Sequence, residues 1–121
     1  MLTVWGLKTC DTCKKALKWL ADAGIAHEAR DVRADGVPAA ELARWIDVVG
    51  WEALVNRAST TWRGLDDADK EGLDTARAKD LLAAHPTLIK RPVFVAGETV
   101  IVGFRDAQKQ ALKAQAHKAG G

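Results

Sequence analysis

The sequence predicts an α/β fold, and three observations carry it. A strand, a helix and a second strand fill roughly the first 33 residues, which is the βαβ unit. A polar, helix-rich middle follows. Two strands around a single glycine then lead into a last helix.

Leu2-Thr3-Val4-Trp5 is apolar and β-branched, a short buried strand. The next helix begins near Asp11 or Thr12, with Ala16, Leu17, Leu20 and Ala23 on one face and Gly24 as its stop. Ile25 to Val32 is a second, more polar strand that suits a sheet edge. Ala34-Asp35-Gly36-Val37-Pro38 is a turn, and Pro38 opens a helix through Asp47 with Leu42, Trp45 and Ile46 inward. Trp51 to Val55 is a short helix that Asn56 to Thr61 breaks. Asp66 or Asp67 starts another, and Thr75 to Ala84 is a third with Ala78, Leu81 and Leu82 inward. Arg91 to Ala96 and Glu98 to Val102 form a hairpin about Gly97, with Pro92 at the tolerated first position of its strand. A final helix runs from Ala107 to about Ala116, and the tail Lys118 to Gly121 is expected to fray.

A length of 121 residues suits one domain with a real core, and 48% hydrophobic with 28% charged residues is a globular composition. A net charge of +2 is too small to argue for direct nucleic-acid or membrane binding. The opening residues show no charged region followed by a long apolar run, and no segment approaches bilayer-spanning length. A cytoplasmic, reducing location is therefore expected. There a cysteine pair is more often catalytic or metal-binding than a structural staple.

The chemistry converges on Lys8-Thr9-Cys10-Asp11-Thr12-Cys13-Lys14-Lys15, which holds the only two cysteines as C-x-x-C between the first strand and its helix. A thiolate on Cys10 would face unpaired N–H groups and the positive end of the helix dipole. Lys8, Lys14 and Lys15 add positive charge, while Asp11 opposes it or caps the helix. Cys13, one turn further on, can attack a mixed disulfide formed on Cys10. Zinc ligation and inert burial are the competing readings. A zinc site needs about four ligands, and beyond the two cysteines only the scattered His27, His85 and His117 remain.

Five stretches in this order resemble the thioredoxin-like arsenate reductase and Spx (ArsC-like) family, above all its YffB-type branch. They are Lys8 to Ala16, Gly50-Trp51-Glu52-Ala53-Leu54, Thr60-Thr61-Trp62-Arg63-Gly64-Leu65, Ile89-Lys90-Arg91-Pro92 and Gly103-Phe104-Arg105. The resemblance covers essentially the whole chain. It implies a thioredoxin-like βαβ–ββα core over 1–33 and 87–117, with a helical insertion at about 38–86 in a single domain. It also implies that Cys10 is the nucleophile, that Pro92 is cis and lies beside it, and that Arg91 and Arg105 hold an oxyanion. Lys8, Thr9, Asp11 and Thr12 flank the nucleophile as binding residues, and Arg57 and Arg63 join them from the insertion. Asn56 stands where arsenate reductases carry a further arginine. Cys13 stands where they lack a cysteine, and resembles instead the redox switch of Spx.

The function implied is a glutathione-dependent thiol–disulfide oxidoreductase, with Cys13 resolving and no bound cofactor or metal. Glutathione is the co-substrate, a disulfide or an oxyanion the substrate, and a glutaredoxin a further partner of the monomeric protein. The alternatives are an Spx-like redox-sensing regulator that binds RNA polymerase, and a true arsenate reductase.

Overall fold

The computed structural model describes residues 2–120, with side chains through residue 116. The chain divides into two compact units, Met1–Asp31 with Arg91–Gly121, and Val32–Lys90.

In the first unit, β1 (Leu2–Gly6), α1 (Asp11–Asp22) and β2 (His27–Asp31) form the βαβ unit. The hairpin strands β3 (Val93–Ala96) and β4 (Thr99–Val102) complete a sheet of order β2-β1-β3-β4. β1 runs parallel to β2, with Val4 beside Ala29, and antiparallel to β3, with Val4 beside Phe94. This is the βαβ–ββα arrangement of a thioredoxin-like fold. The polar strand lies at the sheet edge, and three of its five residues, Glu28, Ala29 and Arg30, are exposed.

The helix and the sheet meet through a single apolar stripe. Cys13, Ala16 and Leu20 recur at helical spacing and are buried. Leu17 is half-buried, and Ala23, expected on the same face, is exposed because the helix has closed at Asp22 and Gly24 turns the chain at φ +72°. Leu2, Val4, Ala16, Leu20, Phe94 and Leu112 form one buried cluster. Trp19 and Phe104 pack against its margin edge to face, with ring centroids 5.7 Å apart. The last helix, α7 (Asp106–Gly120), outruns its expected end and places Lys109 and Lys113 over those two rings. The tail residues expected to fray have side chains, and in Gly121 a whole residue, outside the described ones.

The second unit carries α2 (Ala39–Val49), α3 (Trp51–Leu54), α4 (Thr60–Arg63), α5 (Asp67–Lys70) and α6 (Thr75–Ala84), then a 3₁₀ turn at Pro86–Leu88. α2 packs against α3 and α6, with Leu42, Trp45, Ile46, Ala78 and Leu82 buried. Leu81 is only half-buried.

Two features correct the sequence reading. The stretch Asn56 to Thr61 does end the preceding helix, but α4 already begins at Thr60 within it, because the Ser59 hydroxyl at its N-cap accepts the Trp62 N–H at 3.1 Å. Val55, expected in a helix, is extended and forms an antiparallel bridge with Ile89. That bridge is flanked by hydrogen bonds from Asn56 N–H to the Leu88 carbonyl and from Lys90 N–H to the Leu54 carbonyl.

Phe94 is fully buried between β1 and β4, so Phe94→Ala removes about 3–5 kcal/mol of stability. Urea unfolding followed by tryptophan fluorescence would measure the loss.

Candidate functional site

The C-x-x-C pair is set by the turn from β1 into α1. The Cys10 N–H donates to the Leu7 carbonyl at 3.0 Å, closing the turn, and Cys10 takes the N-cap position of α1 with extended backbone angles. The Lys8 N–H donates to the Asp31 carboxylate at 3.0 Å, which ties the turn to the end of β2. Gly6 makes room for the second thiol. A Cβ on Gly6 would lie 2.9 Å from the Cys13 sulfur and 3.1 Å from its Cβ, closer than packed atoms approach.

The two thiols are free and differ sharply in environment. Cys10 is half-buried, and its pKa lies below the ordinary cysteine value. Burial is the largest single influence and opposes this. The Cys13 N–H, the Cys13 thiol and the Arg91 guanidinium together outweigh burial and favour the thiolate. Cys13 is buried, and its pKa is pushed up to about 12, first by burial and then by the negative charge and hydrogen bond of Cys10. The arrangement makes Cys10 the thiol that ionises first and Cys13 the one that keeps its proton.

Arg91, whose guanidinium favours the Cys10 thiolate, stands next to Pro92 just before β3. The Arg91–Pro92 peptide is cis, Pro92 is buried, and the Pro92 carbonyl accepts the Gly103 N–H at 2.9 Å. Cys10, Cys13, Arg91 and Pro92 therefore belong to one unit, drawn from β1–α1 and the approach to β3.

The remaining candidates are placed differently. Lys8, Thr9, Asp11 and Thr12 are exposed around the turn, as are Lys14 and Lys15, where water screens their charges. Among the described residues the groups that favour the Cys10 thiolate are Cys13 and Arg91. Arg105 is exposed and serves through its main chain. Its N–H donates to the Gln108 side chain at 2.9 Å, the return half of a capping box that starts α7.

Asn56, Arg57 and Arg63 lie in the second unit. The Asn56 side-chain oxygen accepts the Ala58 N–H, and Arg63 donates to the Ala58 carbonyl at 3.1 Å. Arg57 lies over the half-buried Trp62 ring at 5.7 Å, with Lys70 also over that ring at 5.6 Å. His27 Nδ1 donates to the Ile25 carbonyl at 2.8 Å, a local structural bond.

Sequence reasoning missed Gly6 and Asp31. A glycine ending an apolar strand just before a cysteine motif is a usable signal for close approach. Asp31, in a polar strand, carries no comparable mark.

The model of the ArsC family matches residues 5–112. An uncharacterized protein of Haemophilus influenzae is 48% identical over 111 residues, covering 92% of this chain and 97% of that one. A solved structure named YFFB superposes with a TM-score of 0.86 at 43% identity, covering 93% of this chain and 99% of its own. The solution structure of an arsenate reductase (ArsC) related protein from Brucella melitensis gives a TM-score of 0.75 at 42% identity, covering 91% of this chain and 92% of its own.

Two outcomes follow from the site geometry. Arg91→Gln raises the Cys10 pKa and slows its alkylation at neutral pH by roughly 3- to 10-fold, read by mass-mapped iodoacetamide labelling across a pH series. Gly6→Ala displaces the Cys13 side chain and costs about 1–3 kcal/mol, measured by urea denaturation.

Proposed function

This chain belongs to the ArsC family, and from that membership and the unequal thiol pair we propose that it is a thiol–disulfide reductase with Cys10 as nucleophile and Cys13 as resolving thiol. The observation that carries the proposal is the asymmetry between them. Cys10 is held toward the thiolate by Cys13 and Arg91, while Cys13 is buried and protonated. A nucleophile needs the first environment, and a thiol that must wait its turn needs the second.

The chemistry runs in two exchanges. The Cys10 thiolate attacks one sulfur of a disulfide, forms a mixed disulfide and releases the other half as a thiolate. That step removes the negative charge from Cys10. The part of the Cys13 elevation that came from that charge disappears with it, although burial persists. Cys13 then loses its proton and attacks the Cys10 sulfur, which expels the second thiolate and leaves a Cys10–Cys13 disulfide. The substrate has gained two electrons, and an external thiol restores the pair.

Glutathione fits as co-substrate, because its carboxylates would meet Arg91, a planar fork suited to bidentate pairing. Lys8 and Arg105 are exposed cations in the same unit that extend this binding role. No bound cofactor or metal is required. The site's chemistry would operate in a reducing cytoplasm with a glutaredoxin as a further thiol partner. Among the described residues no helix is long and apolar enough to cross a membrane.

Reduced protein exposed briefly to oxidised glutathione tests this by intact mass. Wild type is expected to form an internal disulfide, Cys13→Ser to retain one glutathione on Cys10, and Cys10→Ser to remain unmodified. An adduct on Cys13 with Cys10 untouched would reverse the assignment. A disulfide that forms without turnover of any disulfide substrate would favour an Spx-like, redox-responsive regulator, and oxidation-dependent binding of RNA polymerase would then be the next assay.

A further inference from the structure

We propose that Asp31 is a positioning residue for Cys10, acting through the Lys8 main-chain amide. The proposal rests on the reductase reading above and adds to it a residue at the end of β2.

Among the described residues Asp31 stands out as a buried charged side chain, only 8% exposed. It ends β2, and its neighbours Ala29 and Arg30 are exposed, so its burial is a property of this position and not of the strand. Its carboxylate accepts the Lys8 N–H from 23 residues away in sequence. Lys8 lies two residues before Cys10, inside the turn that the Cys10 N–H closes onto the Leu7 carbonyl. β1 is held to β2 along its whole length, up to the pairing of Gly6 with Asp31. Beyond that ladder the Leu7 N–H bonds the Cys13 thiol, and the Lys8 N–H is tied to β2 by the Asp31 carboxylate. The side chain thus extends the β1–β2 ladder into the catalytic turn.

A buried carboxylate stays in place when hydrogen-bonded, and the bond from a backbone amide to a charged acceptor is among the stronger ones. With it, the turn enters α1 in one geometry, and Cys10 meets the Cys13 N–H and Arg91. Without it, the turn loses its tie to the end of β2 while the Leu7–Cys10 closure and the Leu7–Cys13 bond remain, and the Cys10 sulfur spends less time in that arrangement.

The carboxylate also bears a negative charge, which by itself disfavours a nearby thiolate. The two roles therefore have opposite signs. If Asp31 positions, removing its acceptor makes Cys10 less reactive. If it acts mainly as charge, removing it makes Cys10 more reactive.

The test compares wild type, Asp31→Ala and Asp31→Asn by pH-resolved iodoacetamide labelling of Cys10, mapped by mass. Asn keeps an acceptor for the Lys8 amide and loses the charge. Positioning predicts that Asp31→Ala labels more slowly at neutral pH by roughly 2- to 10-fold, the scale of one hydrogen bond, with its pH midpoint moved up. Asp31→Asn should stay within about twofold of wild type. Faster labelling in both variants, or no change in Asp31→Ala, would overturn the proposal.

Should Asp31→Ala fail to fold, the wild-type protein alone decides by NMR. The Lys8 amide is expected to exchange slowly with solvent despite the exposed side chain, and its proton shift should follow the Asp31 carboxyl through an acid titration. Fast exchange with no such titration would sink the idea. Failure of the reductase reading looks different: Cys10 in wild type would label as an ordinary thiol and take up no glutathione, while the Lys8–Asp31 bond remained visible.

Discussion

The Cys13 sulfur occupies the space that any side chain on Gly6 would need, and the rest of the site depends on that close approach. It lets α1 sit down on the end of β1 with a thiol, rather than a methyl-sized group, in the seam. Once Cys13 is buried there, burial holds its proton, and Cys10, three residues back at the N-cap, becomes the thiol that ionises. The unequal pair is thus a consequence of packing first and of charge second. Arg91, brought to the same place by the turn into β3, adds the cation.

The sheet supplies the rigidity this requires. β1 lies between β2 and β3, so the strand that feeds the motif is fixed on both sides, with Val4 beside Ala29 on one and Phe94 on the other. The core cluster of Leu2, Val4, Ala16, Leu20, Phe94 and Leu112 draws on β1, α1, β3 and α7 together. A change in any of these would be felt at the turn, because close-packed interiors pass displacement on rather than absorb it. Functional groups are thus carried on a loop that has little freedom of its own.

Much of the first unit was legible in the sequence because its signals are local and agree with one another. Leu2 to Trp5 alternates little and is buried on both faces, Gly24 ends a helix with a clear apolar stripe, and Gly97 turns a hairpin. The cysteine pair could be placed at a strand–helix junction for the same reason. Features set by contacts distant in sequence were not legible. The Val55–Ile89 bridge joins segments separated by three helices, and a short apolar stretch after a helix gives no hint of it. α4 is one turn long and built of Thr-Thr-Trp-Arg, so it exists through the Ser59 cap rather than through propensity. Asp31 reads as one more solvated charge in a polar strand until its Lys8 partner is seen. The influence of the flanking lysines on Cys10, expected from spacing, gives way to Cys13 and Arg91, since exposed lysines are screened by water.

The central claim is that the two thiols ionise in a fixed order. Site-resolved ¹³Cβ shifts of Cys10 and Cys13, followed through a pH titration of the reduced wild-type protein, test it most directly. The account predicts that Cys10 titrates first, below the ordinary cysteine value, while Cys13 keeps its proton until about pH 12. Titration of both thiols together near the ordinary value, or of Cys13 before Cys10, would contradict it.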